Sequence, residues 1–301
     1  MAGSYMTQLS GGQASEMGFR DAAMKRRTFN DRIEEKYQVD ISENEVAGLW
    51  RDLNSFLRPY GLVPVQEITS VGSVYFDNKD CDLLRYSLLG RLMLVRLRVY
   101  EAYGRYPEPL SAFWVEVKTA KDGRRQKKRF RLNKSALLDF LEGKDAGESV
   151  FSSNRHEANK DLVRDLYRES QETVLTMGVK PMLMVVYKRV AFQSEVERLS
   201  IDWDLKYYNV TRGVYDLYSW KDLIEPPTGK ADKVILELKY LQGDVPNWFH
   251  ILQQRYPIRR REYLKPVEGM GFLFRGPLGR HKEANRLLPM IDAYLVSSQL
   301  G

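Results

Sequence analysis

Leu92-Met93-Leu94-Val95-Arg96-Leu97-Arg98-Val99-Tyr100 alternates through its centre, with Val95, Leu97 and Val99 on one side and Arg96 and Arg98 on the other. A period of two is the signature of a β-strand, because successive side chains point to opposite faces. One face here is aliphatic and the other carries two guanidinium groups. Outward along the chain the same alternation returns. Phe113–Lys118 sets Glu116 and Lys118 opposite Phe113, Val115 and Val117, and Gln126–Leu132 aligns Lys127, Arg129 and Arg131. Glu197–Trp203 aligns Arg198, Ser200 and Asp202 opposite Leu199, Ile201 and Trp203, and Lys233–Tyr240 sets Glu237 and Lys239 opposite Leu236 and Leu238. Near the start, Arg32–Val39 places Glu34 and Lys36 opposite Ile33, Tyr37 and Val39, and in Met182–Phe192 Arg189 shares a face with Tyr187.

Between these strands lie helix signals. Ser42 and Glu45 form a capping box ahead of Val46, Leu49, Leu53, Phe56 and Leu57 at helical spacing, closed by Pro59 and Gly61. Further helices are expected at about 134–142 and 156–177, from Pro246 through Trp248, Ile251 and Leu252, and near 281–297 after the basic run Arg259-Arg260-Arg261. Lys121-Asp122-Gly123 predicts a hairpin turn between the strands at 113–118 and 126–132. No repeat or long linker divides the chain, so the expected organisation is a flexible N-terminal tail over 1–27 and a single domain over 28–301.

Composition narrows the chemistry. A single cysteine, Cys81, rules out an intramolecular disulfide and reads as a spectator thiol in a reducing, cytoplasmic setting. His156, His250 and His281 are the only histidines, which argues against a multi-His zinc site or a His-based hydrolytic triad. No apolar run is long enough to span a bilayer, which leaves room only for a membrane-anchored partner. A net charge of +7 points to an anionic partner. Nucleic acid is not expected, because Trp114, Trp203 and Trp248 read as core or helix-packing residues rather than stacking platforms.

A single charged pair at i and i+2 is no more than a solvated face. Six or more strands dominated by Arg and Lys are different. Two cations about 6 Å apart repel by about 3 kcal/mol at an effective dielectric of about 20, so such a surface is stable only when anions enter it. A curved sheet with this face inward and helices on its apolar side makes an α+β fold, an antiparallel β-tunnel or barrel with a basic interior. Guanidinium forks in such a space suit phosphate oxygens. Arg96, Arg98, Lys118, Lys127 and Arg189 are read as the phosphate clamp, with Arg129, Arg131, Arg198 and Lys239 as further substrate contacts. The few carboxylates suit a divalent ion: Glu237 first, with a salt bridge to a neighbouring Lys or Arg as its alternative, then Glu34 and Glu116 as weaker candidates for which pairing with Lys or Arg is the favoured reading.

From about Arg32 to Met270 the chain resembles the VTC polyphosphate polymerase domain of the CYTH-like triphosphate tunnel superfamily. The likeness is carried by Glu34-Glu35-Lys36-Tyr37, Ser73–Asp77, Arg96–Tyr100, Glu116-Val117-Lys118, Lys127–Phe130, Tyr187–Phe192, Arg198–Asp202 and Leu236–Lys239. The resemblance implies that Lys36, Arg96, Arg98, Lys118, Lys127 and Arg189 contact triphosphate or polyphosphate, and that Glu237 holds Mn2+ or Mg2+. It implies transfer of the γ-phosphoryl group of ATP to a growing inorganic polyphosphate chain, with release of ADP. A triphosphate or polyphosphate hydrolase on the same tunnel, or a non-catalytic polyphosphate-binding module, remains open. A late Ser-Lys-Tyr element of the family reads Arg261-Glu262-Tyr263 here, so Arg259, Arg260 and Lys265 become candidates for the missing lysine's role, and Arg261 and Lys265 are read as further substrate contacts. No SPX-like region is read ahead of the tunnel segment, so control through such a module is not expected.

Overall fold

The computed structural model describes residues 33–65, 68–102, 113–121, 124–142, 144–155, 160–211, 226–241 and 243–300. The 1–27 tail, Arg32 and the turn residues 122–123 lie outside them. Eleven strands form one antiparallel sheet: β1 Ile33–Val39, β2 Val63–Pro64, β3 Thr69–Asp77, β4 Met93–Ala102, β5 Phe113–Lys121, β6 Arg124–Leu132, β7 Lys180–Gln193, β8 Arg198–Asn209, β9 Gly229–Ala231, β10 Val234–Tyr240 and β11 Ile258–Arg260. The strand order is β11-β1-β10-β8-β7-β3-β4-β5-β6, with β2 added to β7 and β9 to β8. The α+β expectation holds. Of the tunnel or barrel expected, the sheet takes the open form: among the described residues β11 and β6 do not pair, so it curls without closing on itself.

Parity survives folding. Val95, Leu97 and Val99 of β4, Phe113 and Val115 of β5, and Phe130 and Leu132 of β6 face outward. There they pack under α3 (Lys134–Leu141), α4 (Gly147–Ser153) and α5 (Lys160–Met177), through Leu137, Phe140, Val150, Val163 and Tyr167. Tyr37, Val39, Leu199, Ile201, Leu236 and Leu238 make a second outer core with Leu49 and Leu53 of α1 (Val46–Phe56) and Trp248, Phe249 and Leu252 of α6 (Asn247–Arg255). Each fully buried Leu, Ile or Phe in these layers contributes about 1.5–3 kcal/mol relative to exposure. The cores thus lie outside the curl, and the charged faces are left to its concave side.

The concave side is not charged throughout. A bulge decides where the change falls. Lys188 opposes Trp203 and Val186 opposes Lys206, so Tyr187 alone faces the two residues Asp204 and Leu205. Asp204 takes the extra step in the left-handed region, φ 54°, a conformation that Asp tolerates better than most residues. Before it, Arg198, Ser200 and Asp202 face inward. After it, Leu205 and Tyr207 do, joining Val71, Leu183, Val185 and Ile235. Two helices fill this apolar end, α7 (Lys265–Arg275) through Val267, Met270, Leu273 and Phe274, and α8 (Ala284–Leu300) through Leu287 and Ile291.

Helix α7 has no counterpart in the sequence expectations, nor has α2 (Asp82–Leu88), whose Leu83 and Leu84 N–H groups are capped by Asp77. Gly269 and Gly271 hide α7, because glycine is a poor helix former; Gly269 is needed for close approach. A Cβ there would lie 2.7 Å from both Leu183 and Tyr207. Tyr207 cannot yield: it is fully buried, and its hydroxyl donates to Glu268 (2.5 Å) beside the Tyr263 hydroxyl (2.7 Å). Gly269→Ala is therefore expected to lower stability by about 1–3 kcal/mol through overpacking, read as a lower urea midpoint at unchanged m-value.

Candidate functional site

Inward residues from β1, β3, β4, β6, β7, β8 and β10, with the start of α7, enclose a polar cavity of about 160 Å³. Its described lining includes Lys36, Arg96, Arg98, Lys127, Arg129, Arg189, Arg198, Lys239 and Lys265, against the single carboxylate Glu237. The parity reading therefore converges on one space. A smaller apolar cavity of about 30 Å³, lined by Met93, Met182, Met270 and their neighbours, adjoins it across Tyr75, Leu94 and Pro266.

The charges form three sets. In the first, Glu116 on β5 is fully buried and both of its oxygens are taken. Arg96 on β4 reaches Oε2 through Nε at 2.7 Å and Nη2 at 2.5 Å, and Lys127 on β6 reaches Oε1 at 2.7 Å. Arg98 and Arg129 stand 3.9 Å away. Cross-strand register places these groups: Glu116 lies opposite Arg96 on one neighbouring strand and Arg129 on the other. Burial works against the Glu116 charge, yet Arg96, Arg98 and Lys127 outweigh it and hold the carboxyl well below its usual range. Glu116 thus sits as a counter-ion among these cations, in the pairing with Lys or Arg that the sequence favoured for it over a metal.

In the second set, Asp202 on β8 accepts Nε and Nη2 of Arg189 at 2.5 and 2.7 Å and Nζ of Lys265 at 2.7 Å. Burial again opposes its charge, and Arg189 and Lys265 keep it ionised. Asp202 was legible as an inward residue, but its role was not assigned. In the third set, Lys239 bridges Glu34 (2.9 Å) and Glu237 (3.0 Å). Repulsion from Glu237 and burial push Glu34 up, but Lys239, Lys118 and Lys36 prevail and bring it down to about 2. Glu237 is also held well below its usual value: Lys239, Arg189, Lys36 and Lys118 outweigh burial.

Two lysines carry the strain of this crowding. Burial and the nearby Arg96 drive Lys118 well below its ordinary value, even with Glu34 and Glu237 across from it. Lys127, though 40% exposed, is brought down to about 8 by desolvation against the pull of Glu116, with Arg96, Arg98 and Arg129 adding to the fall.

The remaining expectations divide. Lys36 donates Nζ to the Tyr263 carbonyl at 2.7 Å, and Arg98 reaches Ser73 Oγ (3.2 Å) and Tyr187 Oη (3.3 Å). Arg198 lines the cavity beside Gln193. Arg131 lies beyond the cavity lining, stacked with Arg129 on Trp114. Of Arg259, Arg260 and Lys265, the replacements considered for the lysine at Glu262, only Lys265 lines the cavity. Arg259 and Arg260 point outward to Asp40 and Glu35, and Arg261 is tied by its N–H to the Lys36 carbonyl. Glu262 itself is exposed. Trp203 and Trp248 are core residues as expected, but Trp114 faces inward with Glu116 and Lys118, as its position in the alternation had encoded.

The sequence profile of the VTC domain family matches residues 25–271. This chain belongs to that family. Among curated proteins, the VTC domain is 31% identical over 158 residues to vacuolar transporter chaperone complex subunit 4 of Schizosaccharomyces pombe, covering 46% of this chain and 21% of that protein. It is 31% identical over 168 residues to the subunit of the same name from Trypanosoma brucei brucei, covering 48% and 20%. The match thus spans about a fifth of the length of each relative. Among solved structures it is similar to the Mimivirus capping enzyme triphosphatase, at 10% identity over 80% of this chain and 94% of that one, TM-score 0.31. No helix among the described residues of the VTC domain is long and apolar enough to cross a membrane.

Among its described residues no three His, Cys, Asp or Glu side chains gather into a metal cluster. Glu34 and Glu237 nevertheless fit a divalent ion. Both are ionised and share one movable lysine, and Mg2+ commonly takes one or two carboxylates with substrate phosphates completing its shell.

Proposed function

We propose that this VTC domain transfers the γ-phosphoryl group of ATP to the end of an inorganic polyphosphate chain, releasing ADP. The observation that supports this is the charge balance of the cavity: nine described cations and one carboxylate line it, and the carboxylates around it already serve as counter-ions. Only a dense polyanion neutralises such a wall. Phosphoryl transfer asks the protein for positioning and charge stabilisation more than for covalent chemistry. Arg96, Arg98 and Lys127 would hold the reacting phosphates from one wall, and Arg189, Lys265 and Lys36 from the other.

In the reaction a terminal oxygen of the acceptor chain forms a bond to Pγ while the Pγ–O bond to the β-phosphate breaks, its electron pair leaving with ADP. The acceptor oxygen is already anionic, so no general base is required. The carboxylates of the described site are paired and no histidine lines it, so neither is placed to activate a water. That favours transfer over hydrolysis, where a water would have to be activated. A divalent ion at Glu34 and Glu237 would neutralise charge on the leaving diphosphate.

The test is incubation with ATP and Mn2+ and separation of the products on a polyphosphate gel. Long acid-labile chains with stoichiometric ADP are expected. Orthophosphate alone would identify a hydrolase, and tight tripolyphosphate binding with no turnover a binding module; either overturns the proposal. Arg96→Ala and Lys127→Ala should each lower kcat/KM by about a hundredfold or more, the scale of losing one preorganised charge at a transferring group.

A further inference from the structure

Along β6 the inward residues are Lys127, Arg129 and Arg131, about 6.8 Å apart at strand spacing. They do not share one environment. Lys127 is bonded to Glu116, and Arg129 stands between Glu116 (3.9 Å) and the Trp114 ring (4.4 Å). Arg131 lies 5.0 Å over the same ring. Its guanidinium has no carboxylate partner among the described residues, and its Nε is buried without a hydrogen bond. The counter-ions therefore run out along the strand while the cations continue. The backbone beneath is fixed independently: Asn154 accepts the Arg131 N–H (3.0 Å) and donates to its carbonyl (2.9 Å).

We propose that Trp114, Arg129 and Arg131 form a second anion subsite, a track on which inorganic polyphosphate continues beyond the phosphates held in the cavity. Two guanidinium groups on one indole repel each other, and an anion between them removes that repulsion. Arg131 supplies an unspent donor, and Trp114 keeps both forks planar and pre-aligned for phosphate oxygens. A nucleic-acid strand fits less well, because the guanidinium groups occupy the ring against which a base would stack. The inference rests on the polyphosphate reading of the cavity and adds to it a preference for chains longer than three phosphates.

The experiment measures dissociation constants for tripolyphosphate and for medium-chain polyphosphate, at equal ionic strength, on the intact protein. Wild type should bind the longer chain more tightly than tripolyphosphate. Arg131→Ala should shrink that ratio by about tenfold, the size expected from one charge-assisted phosphate contact, and Arg131→Lys should restore part of it. Because the Asn154 bonds are to backbone, the variants should melt with wild type, and the melting curve checks this. A second readout needs no Arg131 variant: medium-chain polyphosphate should change tryptophan fluorescence more than tripolyphosphate does, and Trp114→Phe should abolish the difference. Equal losses for both ligands, no length preference in wild type, or an identical response to single-stranded RNA would overturn the track. Failure of wild type to bind tripolyphosphate at all would instead sink the cavity reading beneath it.

Discussion

Glu116→Gln should yield a protein that is about 3–5 kcal/mol less stable without ligand and yet binds tripolyphosphate more tightly than wild type. The two effects have one origin. Glu116 is fully buried, and among the described residues its carboxylate is the only negative charge in contact with Arg96 and Lys127. Removing one member of a buried ion-pair set strands the others, which is the costly way to break such a set. The same carboxylate competes with phosphate for Arg96 and Lys127, so its loss frees them for the ligand. Tripolyphosphate at a hundred times its dissociation constant contributes about 2.7 kcal/mol by mass action, enough to recover much of the lost stability. Urea denaturation with and without ligand reads both quantities. A variant as stable as wild type, or one with weakened binding, would show that Glu116 does not stand in for the absent anion.

Affinity for tripolyphosphate should fall steeply as pH rises above about 8, and binding above that point should take up protons. Lys127 titrates at about 8 in the ligand-free protein against an ordinary 10.5, and Lys118 is also held well below its ordinary value. The sign follows from the proton inventory. Between about pH 8 and 10.5 the unfolded chain holds a proton on Lys127 that the folded protein has lost, so the crowded ammonium opposes folding below pH 8 and the penalty lifts across that window. A phosphate beside it restores the lysine's affinity for its proton, so binding runs the opposite way. Each proton taken up weakens binding by up to about tenfold per pH unit above the ligand-free pKa. Calorimetry in two buffers of different ionisation enthalpy counts the net protons exchanged, and the ligand's own titration, measured separately, is subtracted from that number. A binding reaction that releases or ignores protons at pH 8.5 would contradict the crowding.

Much of this site was legible because strand parity is a strict constraint. Arg96 and Arg98 had to share a face once Val95, Leu97 and Val99 were buried, and the same logic placed Lys36, Arg189, Glu237 and Lys239. What parity could not give was partnership across strands. That Glu116 would meet Arg96 and Lys127, and Asp202 would meet Arg189 and Lys265, depends on register and strand order, which local alternation does not contain. Two further misses have different causes. Trp114 was assigned to packing by residue type although its position put it with Glu116. Helix α7 was obscured by its own glycines, although Lys265 at its start was already a candidate substrate contact. Alternation predicts a tunnel or barrel without saying which, because it carries curvature but not the place where pairing stops.

The extra residue at Asp204 gives one strand two personalities. Were β8 regular, Lys206 and Tyr208 would turn toward the concave side and Leu205 and Tyr207 toward the exterior, leaving α7 without two of its main partners. The frontier between the wet half and the oily half of the domain is therefore written in the count of residues rather than in their kinds. Deleting Asp204 would leave Leu205 opposite Tyr187 and restore unbroken alternation, whereas flattening the bulge with every residue kept would exchange inside for outside.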